Sequence, residues 1–332
     1  HVSDKDQRQA LRDVVSALAS AAIEIAGICA HGPLEEGLGA ETGSENSDGD
    51  NQKALDVRSD EIVTARLRTA PVAYYASEEQ DIIVTLDEAA SLAVASDPLD
   101  GSSNIDTNVS IGTIFSVYEA VSGDPEASFF RPGTDQIAGG FFVYGPQTTL
   151  VITTGKGTEL YVLEPGSGTF KLAIAQMEIP KDSAEFAINA SNFQHWDSPV
   201  RAYIEDCLKG EDGPFGKKHG MRWVGSLVAD ANRILMRGGI FLYPSDNRKG
   251  YEAGRLRLLY EANPVAFVIE QAGGTATDGE ARIMEKTLTE LHQRVPFVFG
   301  SSENVTLVEN YHQKSDAKST QSPLFNQRGL LR

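Results

Sequence analysis

Asp97-Pro98-Leu99-Asp100-Gly101-Ser102-Ser103-Asn104-Ile105-Asp106 is the stretch whose reading decides how this chain is understood. Two carboxylates three residues apart flank a turn stiffened by Pro98. The Gly-Ser-Ser-Asn run behind them carries backbone N–H groups free to hold an oxyanion. Hard oxygen donors select Mg²⁺ or Mn²⁺, and a nest of N–H groups selects phosphate. Both belong in one turn where a metal must touch a phosphate, so the first expectation is metal-dependent chemistry on a phosphate ester.

Working outward, Leu92 to Ala95 reads as a short apolar strand ending at Asp97, and Val72 to Ala76 as another ending at Ser77-Glu78-Glu79. Acidic residues at strand C-termini are how an α/β sheet builds a site. Alone, Glu78-Glu79 reads as a solvated pair on a loop, and Asp97 to Asp100 as a turn with an Asx bond; their joint placement after successive strands favours function. Glu78, Glu79, Asp97, Asp100 and Glu261 form a carboxylate set without the His or Cys that Zn²⁺ prefers, and the turn exposes the Leu99 carbonyl as a further donor. Two metals about 4 Å apart would bridge the departing phosphate and the attacking water.

Before these strands, an amphipathic helix is expected over Asp6 to Cys29 and a second over Val57 to Leu67. Between them His31 to Lys53 has almost nothing to bury and reads as a mobile flap delivering Asp50 and Asp56 to the site, with a plain disordered insertion equally compatible with its tip. After them, Ile111 to Ala120, Gly140 to Tyr144, Thr148 to Thr154, Glu159 to Leu163 and Thr169 to Ala173 read as a meander. A second half starts near Pro180, so the expected division is 1–178, with the mobile loop 31–53 and the carboxylates, and 179–332. In it, Phe186 to Asn189, Ile240 to Tyr243 and Leu256 to Tyr260 read as strands and Gly225 to Arg237 as a helix. Asn263 is expected to cap a helix with Pro264 at its first turn. Ser315 to Arg332 reads as a polar, flexible tail.

The composition narrows the classes. A chain of 332 residues exceeds one typical core, so two packed subdomains are expected. A net charge of −18, from 29 basic and 47 acidic residues, argues against nucleic acid and anionic membrane as partners. No apolar run is expected to reach the roughly 18 residues that a membrane span needs: the best candidate, Val14 to Ala30, carries Ser16, Ser20, Glu24 and Gly27 and reads as an amphipathic helix. Cys29 and Cys207 exclude a disulfide framework and read as buried thiols in a cytoplasmic, reducing setting. From Lys217 to Arg257, nine bases face three acids, reversing the overall balance. Arg233 and Arg237 read as a solvated helix face; Arg222, Arg255 and Arg257, beside strand-like segments, read as anion binders. A carboxylate cluster and a basic cluster together suit a ligand with two separated anionic ends. No G-x-S-x-G, H-E-x-x-H or P-loop occurs, Gly37 to Gly43 misses the dinucleotide spacing, and His195, His219 and His292 are isolated.

These motifs resemble those of class I fructose-1,6-bisphosphatase. Besides Asp97 to Asp106, the resemblance is carried by Ser77-Glu78-Glu79, Gly49-Asp50…Leu55-Asp56-Val57, Val224-Gly225-Ser226-Leu227-Val228-Ala229-Asp230, Gly238 to Pro244 and Leu256 to Glu261, in order over roughly Val14 to Tyr311. It implies a layered α/β sandwich, the sugar-phosphatase fold of alternating helix and sheet layers, and a homotetramer. It implies release of the 1-phosphate of fructose 1,6-bisphosphate to give fructose 6-phosphate, in gluconeogenesis or a Calvin-type carbon-fixation cycle. By the matching positions Glu78, Glu79, Asp97, Asp100, Glu261 and the Leu99 carbonyl would hold two or more Mg²⁺ (or Mn²⁺) per subunit. Asp56 and Glu79, with Asp50, would orient and deprotonate water. Asp100, Gly101, Ser102 and Ser103 would face the 1-phosphate, with Arg257 nearby. Asn189, Tyr243 and Arg255 would grip the sugar and its 6-phosphate, and Arg222 would reach in from a neighbouring subunit.

The chain departs from the family pattern at Asn192 and Trp223, where tyrosines are usual, and at Arg255, where lysine is usual. Ser91, Leu92 and Glu119 replace the lysine, tyrosine and arginine of the AMP site, so AMP inhibition is expected to be weak or absent; Asp124 to Gln136 lacks the cysteines of the redox-regulated chloroplast enzymes. The rival readings are a sedoheptulose-1,7-bisphosphatase, alone or as a second activity, and, from another class, an inactive sugar-phosphate sensor. An inositol-monophosphatase-like enzyme is disfavoured because Trp196-Asp197 runs into Ser198-Pro199.

Overall fold

The computed structural model describes residues 5–34, 41–45 and 51–319. Helix α1 (Lys5–His31) places Leu11, Val14, Leu18, Ala21, Ile25 and Ile28 on one buried face, the i, i+3, i+4 spacing of an amphipathic helix. Strands β1 (Glu41–Glu45) and β2 (Asn51–Lys53) pair antiparallel and lead into α2 (Ala54–Leu67). The first half continues through β3 (Val72–Ser77), β4 (Val84–Thr85), β5 (Leu92–Asp100), β6 (Ile111–Glu119), β7 (Ala138–Tyr144), β8 (Thr148–Thr153), β9 (Thr158–Glu164) and β10 (Thr169–Ile174). These form one sheet in the order β10-β9-β8-β7-β6-β5-β3-β4, antiparallel except for the β3–β5 pair.

The second half runs β11 (Glu185–Ala187), α3 (Ser198–Leu208), β12 (Gly220–Met221), α4 (Leu227–Arg237), β13 (Ile240–Tyr243), β14 (Leu256–Arg257), α5 (Asn263–Gln271), β15 (Thr275–Thr277), β16 (Arg294–Val295), β17 (Phe297–Gly300) and α6 (Ser302–Ser319). Its main sheet has the order β12-β11-β13-β17-β15, and β14 pairs with β16.

Strand alternation assigns the layers, because successive side chains leave opposite faces of a sheet. Tyr75, Val94, Phe115 and Phe142 pack with α1 and α2. Their sequence neighbours Tyr74, Ala93, Ile114 and Phe141 pack the other way, against α4, α5 and the small sheet's Phe241 and Phe299. Ile240, Leu242 and Val298 cover the small sheet's outer face with α3 and α6. The result is a helix–sheet–helix–sheet–helix sandwich, as the resemblance implied.

Several expectations are corrected. Leu256 to Tyr260 is not one strand: pairing stops at Arg257, and Leu258–Ala262 makes a single π-helical turn. A short fully apolar run has no periodicity to separate strand from buried helix. That turn runs straight into α5, so Asn263 has helical angles and is not the cap. The stretch after Ser315 remains helical to Ser319, and 320–332 lie outside the described residues. Cys207 is buried but Cys29 only partly so. By length and composition α1 is apolar enough to cross a membrane, since Glu24 is the one charge between Val14 and Ala30. One face of α1 packs against the large sheet, and the rest of its apolar window is not buried within this chain.

Candidate active site

β5 is buried along its whole length, yet it ends in two carboxylates. Its ladder with β6 breaks register between Asp97 and Asp100, where Pro98 has no N–H to donate. The turn is pinned instead by side chains. Leu99 N–H donates to Asp97 Oδ1 (2.9 Å), the Asx bond foreseen, and Thr113 Oγ1 donates to the Pro98 carbonyl (2.8 Å). Gly101 then takes φ +80°, which glycine adopts without penalty. A Cβ there would lie 3.1 Å from Ser226. Ser102–Thr107 follows as a 3₁₀ helix whose first internal bond is Asn104 N–H to Gly101 O (2.8 Å). The N–H groups of Ser102 and Ser103 precede that bond and are the orphan donors of a helix start.

Asp100 faces a second helix start. Its Oδ2 accepts from Val228 N–H (2.9 Å) and the Ser226 hydroxyl (3.3 Å), at the N-terminus of α4. The loop into that helix is shaped by Asp230, which accepts from Val224 N–H (3.2 Å) and Gly225 N–H (3.2 Å), and by Asn104 Nδ2 donating to Gly225 O (2.9 Å). Glu261 arrives from the π turn, with its Oε2 accepting from Arg257 N–H (2.6 Å).

The outcome is a buried carboxylate cluster. One oxygen from each of Asp97, Asp100 and Glu261 lies within 4.8 Å of the others. Burial, followed by the charges of Glu78, Asp100 and Glu261, holds Asp97 well above the usual carboxylate range. Burial, followed by the Glu78 charge, does the same for Glu261. Asp100 is pushed up to about 7 by burial, against the lowering effect of Val228 N–H. Three crowded, desolvated carboxylates with Glu78 beside them outnumber the one neighbouring cation, Arg257, and an all-oxygen donor set of this kind fits a hard divalent cation. Glu78 is engaged by Arg257, whose Nη1 lies 2.6 Å from its Oε1. Arg257 thus sits among the acids as well as beside the phosphate turn.

A cavity of about 470 Å³ opens on this cluster. Its walls gather Asp56, Glu78, Glu79, Asp97, Leu99, Asp100, Gly101, Ser102, Ser103, Tyr243, Arg255, Arg257 and Glu261, all sequence candidates from five separate segments. Asp50 lies outside the described residues. Asn189 does not line the cavity: its Oδ1 accepts from Ser191 N–H (3.2 Å) and Oγ (2.6 Å), capping a short turn. Arg222 stands apart too, about half exposed and 3.7 Å from Glu185. Arg233, expected on a solvated helix face, is only about a quarter exposed and pairs with Glu185 at 2.6 Å.

Trp223, Ser226 and Phe241 also line the cavity and had no role from sequence. Trp223 stacks on Phe241 (centroids 5.5 Å, 16°) and leans on Tyr243 (6.0 Å). The signal for Ser226 was available: a serine after glycine, at the start of an apolar helical pattern, marks an N-cap.

Residues 1–175 match the family described as fructose-1-6-bisphosphatase, N-terminal domain, and residues 179–313 its C-terminal domain. A class 1 fructose-1,6-bisphosphatase of Cereibacter sphaeroides is 54% identical over 97% of this chain and 96% of its own length. That of Methylorubrum extorquens is 53% identical over 96% of this chain and 91% of its own. The crystal structure of Leishmania major fructose-1,6-bisphosphatase in holo form superposes with a TM-score of 0.87 at 34% identity, covering 92% of this chain and 95% of that one. With the fold, the acidic turn and the sequence all in agreement, this chain belongs to the class I fructose-1,6-bisphosphatase family.

Proposed function

We propose that this protein hydrolyses the 1-phosphate of fructose 1,6-bisphosphate to fructose 6-phosphate and phosphate. The observation that carries this reading is one cavity with a carboxylate cluster at one end and Arg255, Arg257 and Tyr243 along its walls. Such a cavity suits a small polyol bearing two anionic ends.

Asp97, Asp100 and Glu261, with Glu78, Glu79 and the Leu99 carbonyl beside them, would hold Mg²⁺ or Mn²⁺. A cation held there would supply polarisation of the phosphoryl oxygens and a lowered pKa of water. The remaining work belongs to the chain. Ser102 and Ser103 N–H groups cradle the phosphate at a helix start. Asp56, from the first turn of α2, and Glu79 accept the proton of the attacking water. The new bond joins water oxygen to phosphorus, the bond to the sugar oxygen breaks, and that oxygen leaves as the C1 hydroxyl after taking up, through solvent, the proton that the attacking water gave to the carboxylate. Tyr243 and Arg255 fix the far end of the sugar, so the scissile ester meets the turn in one orientation.

Arg222 serves a neighbouring subunit of a tetramer, a reading supported by its exposure away from its own cavity. Weak or absent AMP inhibition is supported by Glu119. It pairs across strands with Leu92 and accepts from Gln7 at the start of α1, so a carboxylate stands where a nucleotide phosphate would meet a cation. Two free cysteines support a reducing, cytoplasmic setting.

The test is phosphate release from fructose 1,6-bisphosphate, sedoheptulose 1,7-bisphosphate and fructose 6-phosphate, each with Mg²⁺ and with EDTA. Mg²⁺-dependent release from the first, and none from the monophosphate, is expected. A silent bisphosphate that still binds would make the protein a sensor and overturn the reading.

A further inference from the structure

Between β13 and β14 the chain makes a loop whose side chains, Arg255 apart, the mechanism above does not use. Arg255, the cavity residue at its end, donates through Nη1 to the Tyr251 hydroxyl. Its guanidinium carbon also lies 4.7 Å from the centre of the Tyr251 ring. Arg248 is 4.1 Å from that same centre, so one tyrosine serves two guanidinium groups. Arg248 is anchored in turn by the buried carboxylate of Asp246, to which its Nε donates at 3.0 and 3.1 Å and its backbone N–H at 2.9 Å.

The backbone secures this arrangement. Tyr251 O accepts from Asp246 N–H (3.2 Å) and from Gly254 N–H (3.0 Å). Gly254 takes φ +84°, and a Cβ there would come within 2.4 Å of the Val295–Pro296 backbone. The turn that sets Tyr251 against Arg255 is therefore fixed where glycine alone fits.

We propose that Tyr251 is a positioning residue for the phosphate end remote from the scissile ester. Through the Asp246–Arg248–Tyr251–Arg255 chain it holds the Arg255 fork in place, so a phosphate meets an ordered bidentate donor rather than a mobile side chain. A guanidinium can both stack on this ring and donate to its hydroxyl, which a lysine cannot do. The assignment rests on the sugar-bisphosphatase reading.

Two measurements test it. In steady-state kinetics with fructose 1,6-bisphosphate and Mg²⁺, Tyr251→Leu raises KM about tenfold and Tyr251→Phe, which keeps the ring, about threefold, with kcat within about twofold of the parent. In an Arg255→Ala background Tyr251→Leu adds nothing, because the tyrosine acts through the arginine. Calorimetric binding of fructose 6-phosphate weakens by the same factors and needs no turnover. An unmoved KM and Kd in both tyrosine variants, or an equal loss with Arg255 already removed, overturns the assignment. Failure of the parent protein to release phosphate overturns the hydrolase reading instead, and the calorimetric arm still decides on Tyr251.

Discussion

At the acidic end of the cavity, Asp97 and Asp100 stand on a central strand and on the turn that ends it, and Glu261 on a turn continuous with α5. Each is tied to the main chain: Asp97 to Leu99 N–H, Asp100 to Val228 N–H, Glu261 to Arg257 N–H. At the basic end, Arg255 stands at the close of a loop and is located by another side chain, Tyr251. Carboxylates that repel one another stay together because backbone donors and a buried sheet leave them nowhere to go. A long cation has no such frame, and aromatic stacking supplies one. Charge is crowded by the scaffold at one end and aimed by side chains at the other.

The hardest test of this contrast is Asp100→Asn. It keeps the shape and removes a charge from the cluster, and turnover should fall by on the order of 10³-fold or more, read as phosphate release under saturating Mg²⁺. The metal-free fold should be no less stable by thermal melting, because a repelled carboxylate is gone. A rate near that of the parent would show that the cluster is not the reacting end.

Gly101→Val attacks the same end through the backbone. With φ at +80° and Ser226 at 3.1 Å from any Cβ, the phosphate turn must shift, and kcat should drop by roughly 10². Arg255→Lys attacks the opposite end. It keeps the charge but loses the fork and the stacking, so KM for fructose 1,6-bisphosphate should rise about tenfold while kcat holds.

The acidic end should also answer to pH. The Asp100 carboxyl, raised to about 7 in the folded protein, titrates near 4 when unfolded. The folded state therefore holds the extra proton between these values, and in EDTA its stability declines as pH rises through that window. Denaturant melts should show the parent losing stability relative to Asp100→Asn by about 1 kcal/mol per pH unit there. Mg²⁺ should cancel the trend, since it binds the deprotonated form. The smallest effect expected is that of AMP: millimolar nucleotide should leave the rate unchanged, and potent inhibition would show that Glu119 does not guard that surface.

Much of the acidic end was legible in the order of residues. Asp97, Leu99, Asp100, Gly101 and the two serines lie within one turn, and local chain geometry alone brings them together. Glu78 and Glu79 follow from strands that end in acids. The partnership of Glu78 with Arg257 was not legible, since 179 positions separate them and only the β3–β5 pairing and the π turn bring them into contact. That turn itself was misread as a strand because Leu258-Leu259-Tyr260 is apolar throughout. The basic end was legible as a charge imbalance between Lys217 and Arg257, with Arg222, Arg255 and Arg257 as anion binders, but which of these share one cavity was not. Arg222 and Arg255 look alike in sequence, yet one lines this cavity and the other faces outward.

What the sequence determined by itself was chemistry and local conformation. Carboxylate, proline, glycine and serine at these spacings dictate a metal-and-phosphate turn through forces that act within a few residues. What only the tertiary structure decided was which charges share a cavity and which tyrosine holds the arginine that faces the ligand. Those contacts join segments far apart along the chain, and they exist only once the two main sheets and the six α-helices have packed together.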